Sequence, residues 1–169
     1  MKGLIRSQRR NPAQQPVLKQ TIRVKDLPIT VNGATGVGWG TAVVGDFPQG
    51  NILILGIVSY LQFKIVTAAG VQATFDGDYS LGTTPTADAT LSGTDVNLVP
   101  STATNPATAG VSPVVRGASS TPPGLFDNTD DSLEINLNFL IDDANISADT
   151  QLLAVNGTVH IAFTVLGDD

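Results

Sequence analysis

The sequence predicts an all-β fold: an antiparallel β-sandwich, jelly-roll-like, carrying an extended basic N-terminal arm. Three observations predict it. Apolar and polar residues alternate at period two in several stretches, most cleanly where Leu133, Ile135, Leu137, Phe139 and Ile141 interleave with Glu134, Asn136, Asn138 and Leu140. No segment longer than two turns combines a helical period with caps. Charged residues are only 14% of the chain, so its polar surface must be built from Thr, Ser, Asn, Asp and Gly, which suit strands and turns. Strands separated by turns, with no helices between them, pack as a sandwich or jelly roll. At 169 residues and 41% hydrophobic content, one domain with a real core is expected.

The elements follow in order. Residues 1–16 hold bases, glutamines and prolines without an apolar period, and so read as an arm that orders only on a surface. The expected division is an arm over 1–25 and a single sandwich domain over 26–169, with 17–25 able to form a first or edge strand. Val37, Trp39, Thr41 and Val43 alternate with Gly38, Gly40, Ala42 and Val44 as a strand. Gly45 to Gly50 is turn chemistry. Asn51 to Val66 reads as one long strand, or two joined at Gly56, where a bulge or a close approach is expected, with Leu53, Leu55, Ile57, Leu61, Phe63 and Ile65 on one face. Ser59 interrupts that face; Ile54, Val58, Tyr60, Gln62 and Lys64 form the other. Ala69-Gly70 turns into a piece at Val71–Phe75. Residues 82–124 read as short strands on long ordered loops that dock on a sheet. Leu133–Ile141 is a half-buried strand. Asn156-Gly157 carries the strongest local hairpin signal, between Leu152–Val155 and Thr158–Leu166.

Charge is the most informative functional feature. Seven of the nine bases, Lys2, Arg6, Arg9, Arg10, Lys19, Arg23 and Lys25, precede the first acid, Asp26. Residues 1–25 carry +7 and the remainder −13, with Lys64 and Arg116 as the only later bases. A cationic arm on an anionic body holds something anionic: nucleic acid, a membrane surface or the acidic face of a protein. The body's charge disfavours a polyanion, and the arm lacks the aromatics that stack on bases. An acidic protein surface fits the whole pattern better. Low overall charge also fits burial between subunits.

The chemistry that other classes require is thin. There is no cysteine, hence no disulfide, thiolate metal site or cysteine nucleophile. His160 is the single histidine, which excludes a two-histidine metal site and a histidine relay. No Gly-x-Ser-x-Gly elbow occurs. Gly36-Val37-Gly38-Trp39-Gly40 lacks the Lys-Ser/Thr ending and following helix of a phosphate loop, and reads as strand around a packed Trp39. Asp127 to Asp131 is the most calcium-like stretch but lacks an EF-hand's spacing and glutamate. Asn145-Ile146-Ser147 is a glycosylation sequon in a chain with no apolar signal-peptide core, so a soluble, cytoplasmically made protein is expected. No catalytic residue, metal or cofactor is assigned.

The style of several stretches resembles the small β-sandwich cement or decoration proteins of tailed-phage heads. These are the basic Gln/Pro-containing arm; Gly45-Asp46-Phe47-Pro48-Gln49-Gly50-Asn51 leading into the long apolar strand; Asp76-Gly77-Asp78-Tyr79-Ser80-Leu81-Gly82-Thr83-Thr84-Pro85-Thr86-Ala87-Asp88; Leu91-Ser92-Gly93-Thr94; and the closing Phe163-Thr164-Val165-Leu166-Gly167-Asp168-Asp169. The resemblance implies a non-enzymatic bacteriophage virion protein on the capsid surface. It implies a homo-oligomer, a trimer ahead of a dimer, that bridges neighbouring major capsid proteins. From the charge pattern alone, Lys2, Arg6, Arg9, Arg10, Lys19, Arg23 and Lys25 are the expected capsid-binding residues. The alternatives are a jelly-roll coat protein with a nucleic-acid-binding arm, a tail or fibre β-domain, and a carbohydrate-active enzyme with paired carboxylates and stacking rings.

Overall fold

The computed structural model describes residues 16–33, 37–67, 70–141, 146–148 and 150–167. Nine strands form two antiparallel sheets packed face to face. They are β1 (Leu18–Val31), β2 (Gly38–Asp46), β3 (Gly50–Ile65), β4 (Gly77–Gly82), β5 (Val99–Thr104), β6 (Val115–Ala118), β7 (Gly124–Asn128), β8 (Glu134–Ile141) and β9 (Gln151–Gly167). The first sheet runs β1-β9-β3-β6, with β7 also pairing β3; the second runs β2-β8-β4-β5. The chain crosses between the sheets at every link except β4–β5 and β6–β7, and with these strand orders that is jelly-roll winding. The expected fold class holds. Residue 25, the expected division, lies inside β1, whose residues 18–24 already pair along β9.

Period-two side chains from both sheets fill the space between them. From the first sheet come Ile29, Ile52, Ile54, Ile57, Leu61, Phe63, Leu153, Val155, Val159 and Ile161; from the second come Tyr79, Leu81, Val99, Ile135, Leu137, Phe139 and Ile141. Phe63 stacks on Phe139 at 4.3 Å between ring centroids and tilts against Tyr79 at 5.6 Å. Aromatic contacts across the sheets add to area burial and fix the sheet spacing.

Four expectations change. In β3 the bulge does fall at Gly56, between Ile54 and Gly56 in the register with β9. It reverses the faces: Ile52 and Ile54 join Ile57, Leu61 and Phe63 inside, while Leu53 and Leu55 point outward. An extra residue in a period-two strand swaps every side chain beyond it. Asn156-Gly157 makes no hairpin. It lies mid-strand in β9, where Asn156 accepts from the Asp26 backbone N–H and donates to its carboxylate across the β1 bulge. Gly157 is needed for another reason: its φ is +147° and a Cβ there would overlap the Tyr60 carbonyl. Strand β8 is buried on both faces, not one, because Asn136 and Asn138 are covered as well. Val71–Phe75 holds one bridge, Val71 to Ile146, in place of a strand, although both Val71 and Phe75 are buried.

The cover over β8 is the segment between β4 and β5. Asn138 accepts from the Thr86 N–H at 2.8 Å and donates to the carbonyls of Thr84 and Asp95, each at 3.0 Å. The outer face of the second sheet is thereby covered by its own chain at β8, while Val43 on β2 and Ala103 on β5 stay exposed. The outer face of the first sheet is left open.

Candidate functional site

The open face is assembled by register. Lys19, Ala162 and Gly56 make one row across β1, β9 and β3. Thr21, His160, Val58 and Ala118 make the next, and Arg23, Thr158, Tyr60 and Arg116 the third. Lys64 stands beyond them, opposite Ala154. Neighbouring strands are about 4.8 Å apart and residues along a strand about 3.3 Å, so Lys19, Arg23 and Arg116 frame a patch about 14 Å on a side.

All five described Lys and Arg residues, Lys19, Arg23, Lys25, Lys64 and Arg116, belong to strands of this sheet and are exposed. Two described carboxylates stand on its strands, both at the margins: Asp26 in the β1 bulge and Asp127 at the end of β7. The others lie on the second sheet, its covering segment and the turns. Asp78 is on β4, Asp88 and Asp95 are in the cover, and Asp46 faces Glu134 across β2 and β8. The body is not uniformly anionic, then: its described bases are gathered on one sheet, where only two of the described acids stand. Lys64 and Arg116 join Lys19 and Arg23 because β3 and β6 bring them there.

At the centre His160 Nδ1 and Thr21 Oγ1 are hydrogen bonded at 3.0 Å, and the His160 ring meets Tyr60 edge-on with centroids 6.2 Å apart. Beside them the surface is dented. β6 and β7 pair with successive parts of β3, and the chain leaves the sheet between them at Ser119–Pro123, opposite the bulge. Ser119 holds the gap: its N–H donates to the Ile57 carbonyl at 3.0 Å and its Oγ accepts from the Ile57 N–H at 3.1 Å. The resulting depression, about 530 Å³, has Leu55, Gly56 and Ala118 in its floor and Lys19, Arg116 and His160 on its rim. Among the described residues, no carboxylate lines it.

The expected capsid-binding residues divide into two groups. Lys19, Arg23 and Lys25 lie on β1, the first two facing outward beside His160, and Lys25 in the bulge. Lys2, Arg6, Arg9 and Arg10 lie outside the described residues. The chain enters at this face: Thr164 Oγ1 on β9 donates to the Pro16 carbonyl at 3.0 Å. Sequence reasoning missed Tyr60, Lys64, Arg116 and the Gly56 dent as parts of one surface. Having only two bases after residue 25 was a usable signal; their meeting was not.

Other candidates resolve locally. Gly38 and Gly40 lie in β2 with their Cα atoms facing the core, and a Cβ at Gly40 would overlap the Thr30 carbonyl. Trp39, on the other side, is half-buried, not close-packed. The Asp127 carboxylate accepts from the Thr129 N–H and Oγ1, which holds it below the usual carboxylate range. Asp130 caps Ser132 in the same way. These acids order the β7–β8 turn, and among the described residues no cluster of three His, Asp or Glu is arranged to hold a metal. Asn145 of the sequon lies outside the described residues. No described helix is long and apolar enough to cross a membrane.

No family model matches the chain, and no curated protein does. Among solved structures it is similar to a chain from the structure of infectious bursal disease virus, Gx strain, at 19% identity and a TM-score of 0.42. The likeness covers 88% of this chain and 32% of that one, so this chain spans about a third of the viral chain's length.

Proposed function

We propose that the protein is a non-enzymatic virion structural protein that binds the outer capsid lattice and links neighbouring major capsid proteins. The observation that carries this reading is the sorting of charge: the five described bases stand exposed on the open sheet, the described acids other than Asp26 and Asp127 stand off it, and the sequence before β1 adds four more bases. A surface of spaced cations suits an acidic protein lattice, where each contact is modest and linked copies add through effective concentration. A homo-oligomer would multiply the effect. A second reading, a coat protein whose arm binds packaged nucleic acid, gains from the same sorting, because a polyanion on the open face would not meet the body's acids.

Cosedimentation with capsids that lack the protein separates the two readings. Full-length chain and a version without residues 1–16 are compared across a salt series. Arm-dependent, salt-sensitive binding to empty capsids is expected. No capsid binding, together with strong salt-dependent binding to nucleic acid, would replace the capsid reading with the coat reading.

A further inference from the structure

We infer that the depression beside Gly56 is a docking site for a protein segment that presents an apolar side chain flanked by carboxylates. The inference deepens the reading above, since it rests on an acidic protein partner, but it assigns the specific contact to the folded body instead of the arm. The chemistry of the site sets the chemistry of the occupant. Leu55, Gly56 and Ala118 offer an apolar floor in a cavity of about 530 Å³, room for an aliphatic or aromatic side chain. Lys19 and Arg116 stand on opposite sides of it, and among the described residues no carboxylate lines it. A pure polyanion would use these cations and waste the floor; an apolar segment would use the floor and leave the cations desolvated. Only an occupant with both features is complementary.

The surrounding surface supports a protein partner over a nucleic acid. Tyr60 and Arg116 are side chains of the kind that dominate protein interfaces. Val58 and Ala162 continue the apolar surface between the cations. The two rings on the face, Tyr60 and His160, are set edge-on to each other and do not form parallel platforms for successive bases.

Gly56 supplies a steric test. A Cβ at this position would have Ser119 Oγ, at 3.8 Å, as its nearest neighbour, so a larger side chain enters the depression without displacing the core. The probes are a glutamate-rich random copolymer of glutamate and tyrosine, polyglutamate and oligothymidylate, each labelled and titrated with the full chain. The copolymer is expected to bind about tenfold more tightly than polyglutamate, the effect of burying one apolar side chain. Gly56→Phe should abolish that preference while polyglutamate binding persists; Gly56→Ala should keep it. A Lys19→Glu/Arg116→Glu double variant, altered only at exposed positions, should weaken the copolymer and polyglutamate alike. Equal binding of the two polymers, an unchanged preference in Gly56→Phe, or tighter binding of oligothymidylate than of copolymer would overturn the inference. A copolymer preference in a protein that fails to cosediment with capsids would uphold this site and remove the capsid reading, so the two proposals fail separately.

Discussion

Tyr79 shows how one side chain ties the two sheets together. Its ring packs on Phe63, and its hydroxyl meets Ser59 Oγ at 3.0 Å and the Val115 carbonyl at 3.4 Å. Ser59, the polar residue that interrupts the apolar face of β3, is therefore a buried partner placed opposite a buried phenol. Unpaired, either group would be destabilising; paired, they add specificity to the core. Burial raises the Tyr79 pKa above the ordinary 10.0, outweighing the hydrogen bond from Ser59 that lowers it. The sign follows from linkage: below pH 10 both states hold the proton, and as pH rises the unfolded chain ionises first, so stability falls. Tyr79→Phe should cost about 1 kcal/mol near neutral pH through the lost hydrogen bonds. It should also lose less stability than the parent between about pH 8 and about pH 11. Urea unfolding at the two pH values checks both; parallel losses in the two proteins would refute the assignment.

At the level of elements, β8 illustrates a limit of periodicity. Its sequence alternates like a strand with one wet face, yet both faces are buried, because residues 83–98 fold back over Asn136 and Asn138. Asn138 works there as a three-point clamp on backbone groups of Thr84, Thr86 and Asp95. Polar side chains at covered positions are the trace of a loop that needs hydrogen-bond partners. Asn138→Ala leaves the Thr86 N–H unpaired in a buried setting and should cost about 1–3 kcal/mol. Because the clamp is local, the first consequence should be faster proteolytic cleavage between Thr84 and Asp95, with the melting temperature lowered. An unchanged cleavage rate would show that the cover is held by other contacts. The β3 bulge is the functional counterpart: it turns Leu55 outward, and with the break between β6 and β7 it opens the dent on the other sheet.

Across the whole molecule the two sheets have different roles. The second sheet is covered at β8 by its own chain and carries Asp46, Asp78 and Glu134; the first presents an exposed face that carries all five described bases. Most of β1 pairs with β9, so the first strand is structural even though its bases belong with those of the arm. Among the described residues, removing residues 1–16 deletes no strand residue and takes away Pro16 with its hydrogen bond from Thr164. That truncation should keep its melting temperature within a few degrees of the parent. Removing residues 1–25 takes away the half of β1 that pairs Gly157–Phe163 of β9, including Ile22 and the buried Val24. The exposed β9 edge should then drive association. Size-exclusion profiles and thermal melts of the two truncations check this; similar behaviour of both would mean that residues 18–25 add little to the sandwich.

The sequence alone determined that the chain is all-β, where most strands lie, that Gly56 marks a bulge or a close approach in β3, and that cations are concentrated before residue 26. These are local properties: side-chain period, turn chemistry and charge order are written in neighbouring residues. Tertiary structure decided which face of β3 is inside, that Asn156-Gly157 runs straight through β9, that β8 is covered on both sides, and that Lys64 and Arg116 share a surface with Lys19 and Arg23. Each depends on pairing between strands far apart in the chain, such as β1 with β9 and β3 with β6. A hairpin-favouring Asn-Gly is overridden when Asn156 finds Asp26 across a bulge and Gly157 relieves a close approach to Tyr60. The physical reason is that one inserted residue or one long-range pairing changes the partner of every side chain beyond it, and local pattern carries no record of that choice.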